Sequence, residues 1–274
     1  VGRYGFPLHV DPRPRPDADV LVIESTYGDR SHRPLALEDE IEAPLRETFD
    51  RGGVVLVPAF ALGRTQVVLL LLQRLARAGR IPAVPIHVDS PMAIAATEVY
   101  LRHLQPRQLD SDVLAEGRAS LLPRNVAVHR TAEESKALNQ LDGPRVIVAG
   151  SGMMTGGRIL HHLRQRVSDE KNLVLLVGYQ AEGTRGRALL GGAKILRMHG
   201  RDVPVHARAL AISGLSGHAG QDELLRWYGS SRTHPSQVFV THGEREAAHA
   251  LAGELRRAGA PRVHVPALSE VREL

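Results

Sequence analysis

The chain alternates short, almost uninterrupted apolar runs with longer segments of helical periodicity, and this alternation confines it to the α/β class. The runs VLVI (20–23), VVLVPA (54–59), VPIHV (84–88), RVIVAG (145–150), NLVLLV (172–177) and QVFV (237–240) carry few polar alternates. Runs of that kind suit strands buried on both faces, as in a parallel sheet covered by helices. Strands are predicted at 19–25, 53–59, 84–89, 145–149, 173–178, 194–199, 204–212, 237–241 and 262–266. Helices are predicted at 37–50, 63–78, 92–104, 132–140, 157–167, 220–228 and 244–258. The stretch KILRMHGRDVPVHARALAISG breaks the alternation and reads as a hairpin turning at Gly200–Arg201–Asp202. DPRPRPD at 11–17 reads as an extended Pro-rich connector.

Why a buried strand should end in a carboxylate is the first chemical question, because VLVI runs straight into Glu24. An unpaired buried charge is costly, so Glu24 requires a partner or water. The pattern recurs: Asp89–Ser90 follows VPIHV, Ser151–Gly152 follows VIVAG, and His242 follows QVFVT. Ligands bind at the C-terminal strand ends of open α/β sheets. One such residue reads as a cap or turn residue; four together point to a site.

Three loops add detail. AISGLSGHAG (211–220) presents His218 among small residues, with Ser216 placed to cap the next helix. An imidazole with an ordinary pKa of about 6.5 suits proton transfer near neutrality. SGMMTGGR (151–158) is Gly-rich but is neither a Walker A loop nor G-x-G-x-x-G, so it is a weak candidate for phosphate contact through backbone N–H groups. PAFALGRTQ (58–66) places Arg64 at a helix start, where a guanidinium can hold a phosphate. Each also has an ordinary structural reading. The 14 His include no H-x-H and no H-E-x-x-H, so no local stretch forms a metal cage.

Composition narrows the classes further. With no Cys, disulfides and thiolate metal sites are excluded. The longest apolar run, VVLLLL at 67–72, is far short of a membrane span, so no membrane partner is expected. No signal-peptide pattern is visible, which makes a cytoplasmic location the default expectation. A formal charge of +5 weakly favours a polyanionic partner, while 4% aromatics argue against an extended single-strand stacking platform. The sequence opens on Val1 and enters VGRYG at once, which reads as the middle of a longer chain.

Taken in order, VLVIESTYGDR, GGVVLVPAFALGRTQ, SGMMTGGR, GYQAEGTRGR, HGRDVPVHARALAISGLSGHA and VFVTHGE resemble the β-CASP branch of the metallo-β-lactamase family across essentially the whole chain. The resemblance is to its prokaryotic RNA-processing nucleases, relatives of the eukaryotic pre-mRNA 3′-end endonuclease. It implies a partial αββα metallo-β-lactamase sandwich (1–41 and 166–274, the latter with RNA-specificity motifs) carrying an α/β β-CASP cap at 42–165. It further implies hydrolysis of RNA phosphodiesters with two zinc ions, by endonucleolytic and 5′-exonucleolytic modes. Single-stranded RNA would be the partner, DNA a substrate of other family members, and a homodimer a compatible assembly. On the family motifs, His242 matches a zinc ligand, His218 the group that protonates the leaving oxygen or stabilises the scissile phosphate, and Glu24 the acid that holds His218 as imidazolium. Loop position suggests Arg64, Ser90, Ser151, Gly152 and Ser216 as phosphate contacts. The family's H-x-H-x-D-H signature, its next His and its bridging Asp are absent, so the remaining ligands are expected upstream of Val1 and this stretch alone is expected to be inactive and prone to aggregate. A non-catalytic scaffold subunit of an RNA-processing complex is the second reading, and an unrelated nucleotide-binding α/β module the third.

Overall fold

The computed structural model describes residues 1–32, 37–103, 109, 111–117, 121–122 and 125–272. In chain order its elements are β1 (Val20–Glu24), α1 (Leu37–Asp50), β2 (Val54–Ala59), α2 (Arg64–Arg77), β3 (Ile86–Asp89), α3 (Pro91–Arg102), α4 (Ser111–Glu116), β4 (Val126–Val128), α5 (Ala132–Ala137), β5 (Arg145–Gly150) and α6 (Ile159–Arg166). There follow β6 (Leu173–Leu176), α7 (Arg185–Leu190), β7 (Ile195–Met198), β8 (Arg201–Pro204), β9 (Arg208–Ala211), α8 (Gln221–Tyr228), β10 (Gln237–Thr241), α9 (Arg245–Arg257) and β11 (Val263–His264). Residue 104, the expected end of the helix realised as α3, lies outside the described residues. The chain divides into two compact units, Val1–Arg33 with Gly217–Leu274, and Pro34–Ser216.

The larger unit is built on a six-stranded parallel sheet, ordered β4-β3-β5-β2-β6-β9. Every residue of β2 and β3 is buried, as the apolar runs require. One face packs Leu56, Ile147, Val174 and Leu176 against Ile159, Leu160 and Leu163 of α6, Leu189 of α7, and Leu196, Met198 and Val203 of the β7–β8 hairpin. Helix α2 buries Val67 to Leu72 all round, which identifies it as a core helix. Asn172 ties two strand starts together: its Oδ1 accepts from Val54 N at 2.7 Å and its Nδ2 donates to Arg166 O at 2.8 Å.

Two sequence expectations shift here. The hairpin turns at His199–Gly200, both with positive φ (48° and 74°), not at Gly200–Arg201–Asp202, and Asp202 lies in β8 opposite Arg197. Positive φ at both loop positions is the signature of a type I′ turn, whose twist matches that of the strands, and His tolerates left-handed backbone better than most residues. The predicted strand 204–212 is two elements: β8 ends at Pro204, and β9 joins β6 in the parallel sheet. Strands β6 and β9 complete this sheet.

The smaller unit holds a three-stranded parallel sheet, β1-β10-β11. Leu21, Ile23, Val238 and Val240 pack against Leu224 and Tyr228 of α8 and Ala248, Leu251, Ala252 and Leu255 of α9. Only alternate residues of β1 are buried, and Val22 is 65% exposed, because these helices cover one face. The burial of β1 on both faces expected from VLVI is therefore not observed in this unit. The Pro-rich connector is anchored by Arg15, which is buried and donates to the carbonyls of Tyr228, Pro16 and Thr233.

Candidate active site

Parallel pairing sets the C-terminal ends of β1 and β10 side by side, with Glu24 opposite Thr241. The two exits are stitched together: Ser25 Oγ donates to Thr241 O at 2.8 Å, and Gly243 passes so close that a Cβ there would lie 2.4 Å from Ser25 O and Oγ. His242 therefore emerges beside the strand end at φ 53°, a left-handed conformation held by this close approach. A third segment arrives from the chain before α8. Gly220 bridges Tyr27, Gln221 N donates to Arg30 O at 2.9 Å, and a His32 ring nitrogen lies 2.9 Å from His218 O.

The result is a compact constellation. His218 Nδ1 lies 2.5 Å from Glu24 Oε2, and one ligand atom from each of Glu24, His218 and His242 falls within 4.8 Å of the others. The two imidazole rings stand 5.3 Å apart at 34°. Burial opposes ionisation of Glu24. The hydrogen bond and the charge of His218 act against it, and the carboxyl is held below its ordinary value. Glu24 is thus a fixed anion at neutral pH, and Nδ1–H of His218 donates to it. That leaves Nε2 as the nitrogen His218 presents elsewhere.

Thr26 was not singled out in the sequence, though it sits in the same ESTYG stretch. Its hydroxyl lies 3.2 Å from Glu24 Oε2, 3.2 Å from His242 Nδ1 and 3.1 Å from His242 O. It orients both groups at once. With Nδ1 of His242 facing Thr26, Nε2 is the atom available to a metal, an arrangement matching the hydrogen-bonded second nitrogen of most metal-ligating histidines. The donor set fits one corner of a zinc site. Among the described residues this is the one group of three or more His, Asp or Glu side chains at ligand spacing, and a zinc ion takes four ligands.

The remaining candidates lie in the larger unit. Ser90 is the N-cap of α3, accepting from Ala93 N at 3.3 Å, and is 8% exposed. Ser151, at φ 82°, accepts from Thr155 N and Gly156 N at 3.0 and 3.2 Å, which organises the Gly-rich loop. Gly152 lies under the Phe60 ring, and its carbonyl accepts from buried Gln180 at 3.0 Å. Arg64 opens α2, and its charge acts on the Tyr100 hydroxyl. Ser216 is buried at 1% exposure and does not cap α8; Gly220 holds that position, with the Glu223 carboxylate accepting from Gly220 N at 2.9 Å.

The polar hub of this unit is Asp89, not its neighbour Ser90. The fully buried Asp89 carboxylate accepts from Ser135 Oγ (2.6 Å), His162 Nε2 (2.6 Å) and Arg158 Nη1 (2.7 Å). Arg158 also donates to the carbonyls of His129 and Arg130, so the loops after β3, β4 and β5 are tied to one carboxylate.

Comparison with known proteins agrees with this architecture. The Beta-Casp domain family matches residues 65–189, and the family described as the Zn-dependent metallo-hydrolase RNA specificity domain matches residues 202–266. Ribonuclease TTHA0252 of Thermus thermophilus is 41% identical over 246 residues, covering 88% of this chain and 55% of that protein. The RNase J-like protein of Methanocaldococcus jannaschii is 35% identical over 232 residues (84% and 53%), and Transcription termination factor FttA of Pyrococcus abyssi 32% over 252 residues (88% and 39%). The chain spans about half or less of the length of these relatives. Its sheet topology, the two matched domain families and this level of identity lead to one assignment: the chain belongs to the β-CASP branch of the metallo-β-lactamase family.

Proposed function

We propose that the intact protein is a zinc-dependent ribonuclease that hydrolyses phosphodiester bonds in single-stranded RNA, by endonucleolytic cleavage and by 5′-exonucleolytic trimming. The observation that carries this reading is the Glu24–His218–His242 constellation, with its 2.5 Å carboxylate–imidazole contact. Glu24 accepts the hydrogen bond from Nδ1–H and fixes the ring. His218 then delivers a proton from Nε2 to the departing oxygen. His242, steadied by Thr26, contributes one imidazole to the metal site. Zinc, when bound, neutralises phosphate charge and activates a water. In the larger unit, Arg64 and the backbone of Ser151–Gly152 are the proposed phosphate contacts. Ser90 and Ser216 support their loops, because both are buried and Ser90 Oγ is already committed to its helix.

The test uses the intact protein and a 5′-labelled single-stranded RNA. Cleavage is expected to stop with a chelator and return with zinc. His218→Ala and Glu24→Gln are each expected to lower kcat by roughly 10²–10⁴. Unchanged turnover in His218→Ala would show that the proton donor lies elsewhere.

A further inference from the structure

Among the described residues Phe60 is the only exposed Phe, Tyr or Trp: it is 50% exposed, while the others are buried or partly covered. It follows β2 directly. The register places Ala59 beside Gly150, and Ala149 beside Asp89, so the chain leaving β2, β5 and β3 emerges along one edge of the sheet. Two further large apolar side chains on those exits are open, Leu62 at 70% and Met92 at 74%.

The ring is not loose. Thr65 fixes its backbone, with N and Oγ1 donating to Phe60 O at 3.2 and 2.9 Å. One side of the ring is seated on Gly152, where a Cβ would lie 3.0 Å from both Cδ2 and Cε2. Gly152 is in turn held by Gln180, which is 3% exposed and packs so tightly on Gly186 that a Cβ there would overlap its Oε1. A chain of contacts thus braces one side of an aromatic ring and leaves the rest to solvent. A surface that merely tolerated an exposed apolar residue would not need such a brace.

We propose that Phe60 stacks on one unpaired nucleobase of a single-stranded RNA, with Gly152 required as its side-chain-free seat. The proposal rests on the ribonuclease reading and adds a base contact to it. The occupant is a base rather than a peptide because the ring is a single planar anchor in a chain of formal charge +5; every base offers a π face, so the contact is tolerant of sequence. The low aromatic content argues against a row of stacked bases and is consistent with a single one.

The experiment measures binding of a fluorescein-labelled single-stranded RNA decamer to the intact protein in the presence of chelator, so that no cleavage occurs. Phe60→Ala and Phe60→Leu are expected to bind roughly tenfold more weakly, and Phe60→Trp as tightly as the parent or more so. Removing one base at a time from the decamer should identify a position whose loss weakens the parent protein but not Phe60→Leu. The Leu and Trp variants keep the test decisive where Phe60→Ala fails to fold. If Phe60→Leu binds like the parent, or if no abasic position distinguishes the two, stacking is refuted while the nuclease reading stands. If the parent itself binds no RNA decamer, both fall together.

Discussion

Replacing Asp89 by Asn tests whether one buried carboxylate holds the strand-end loops of the larger unit together. The side chain keeps its shape but loses its charge and one acceptor. Ser135, His162 and Arg158 all donate to it, at 2.6–2.7 Å, so the new amide must face at least one of these donors with its own N–H. Hydrogen bonds to charged groups contribute about 1.5–3 kcal/mol each, and removing one partner of a buried pair costs about 3–5 kcal/mol. Arg158 is 24% exposed and can turn partly to water, which places the expected loss near the lower end, about 3 kcal/mol. That is a large share of the 5–15 kcal/mol typical of a folded domain. Urea unfolding should be followed by far-UV circular dichroism, because the chain's single Trp, Trp227, lies in the other compact unit. Arg158→Met on both backgrounds completes a double-mutant cycle, with an expected coupling above about 1 kcal/mol. A loss below ~1 kcal/mol, or additivity within ~0.5 kcal/mol, would mean that the loops are held by packing alone.

Two further expectations concern pH and space. His87 is pushed down to about 4, first by burial and then by the charges of His129 and Arg145. Between about pH 6.5 and 4 the unfolded chain therefore binds a proton that the folded one refuses, and stability falls as pH falls. The full shift corresponds to about 3 kcal/mol, and solvent screening beside the edge strand β4 reduces this to ~1–2 kcal/mol. His87→Gln should flatten the dependence of the urea midpoint over that range, and an unaltered slope would remove His87 as its source. Gly243→Ala should displace the His242 turn, since the added carbon would sit 2.4 Å from Ser25 O. A stability loss of about 1–3 kcal/mol with a lower kcat is expected, and wild-type turnover in this variant would show that the turn tolerates movement.

The parts of the fold that could be read from the sequence are those with strong local signals. The runs VVLVPA and RVIVAG announced β2 and β5 because burial on both faces leaves no polar alternates. Helix α4, strand β4 and helix α7 escaped because they are short. β4 is a three-residue edge strand with two exposed positions, and the order of its sheet decides its existence more than its composition does. The site shows the same division. Glu24, His218 and His242 were singled out from strand-end positions and family motifs, and the structure brings their side chains together. Asp89 was passed over for Ser90 because its partners come from 46 to 73 residues further along, where nothing local marks them. Thr26 and Phe60 stood inside recognised motifs, but their roles depend on what folds against them.

The pairing of β1 with β10 also has a consequence for synthesis. Val20 to Ile23 must wait while roughly 200 further residues leave the ribosome before Gln237 to Thr241 can meet them. At ~5–20 residues per second that delay is about 10–40 s, during which a four-residue β-prone stretch stands without its partner. Asp19 and Glu24 bracket that stretch. Charges in these positions discourage premature pairing with other chains, so the acid that later grips an imidazole also guards the nascent strand.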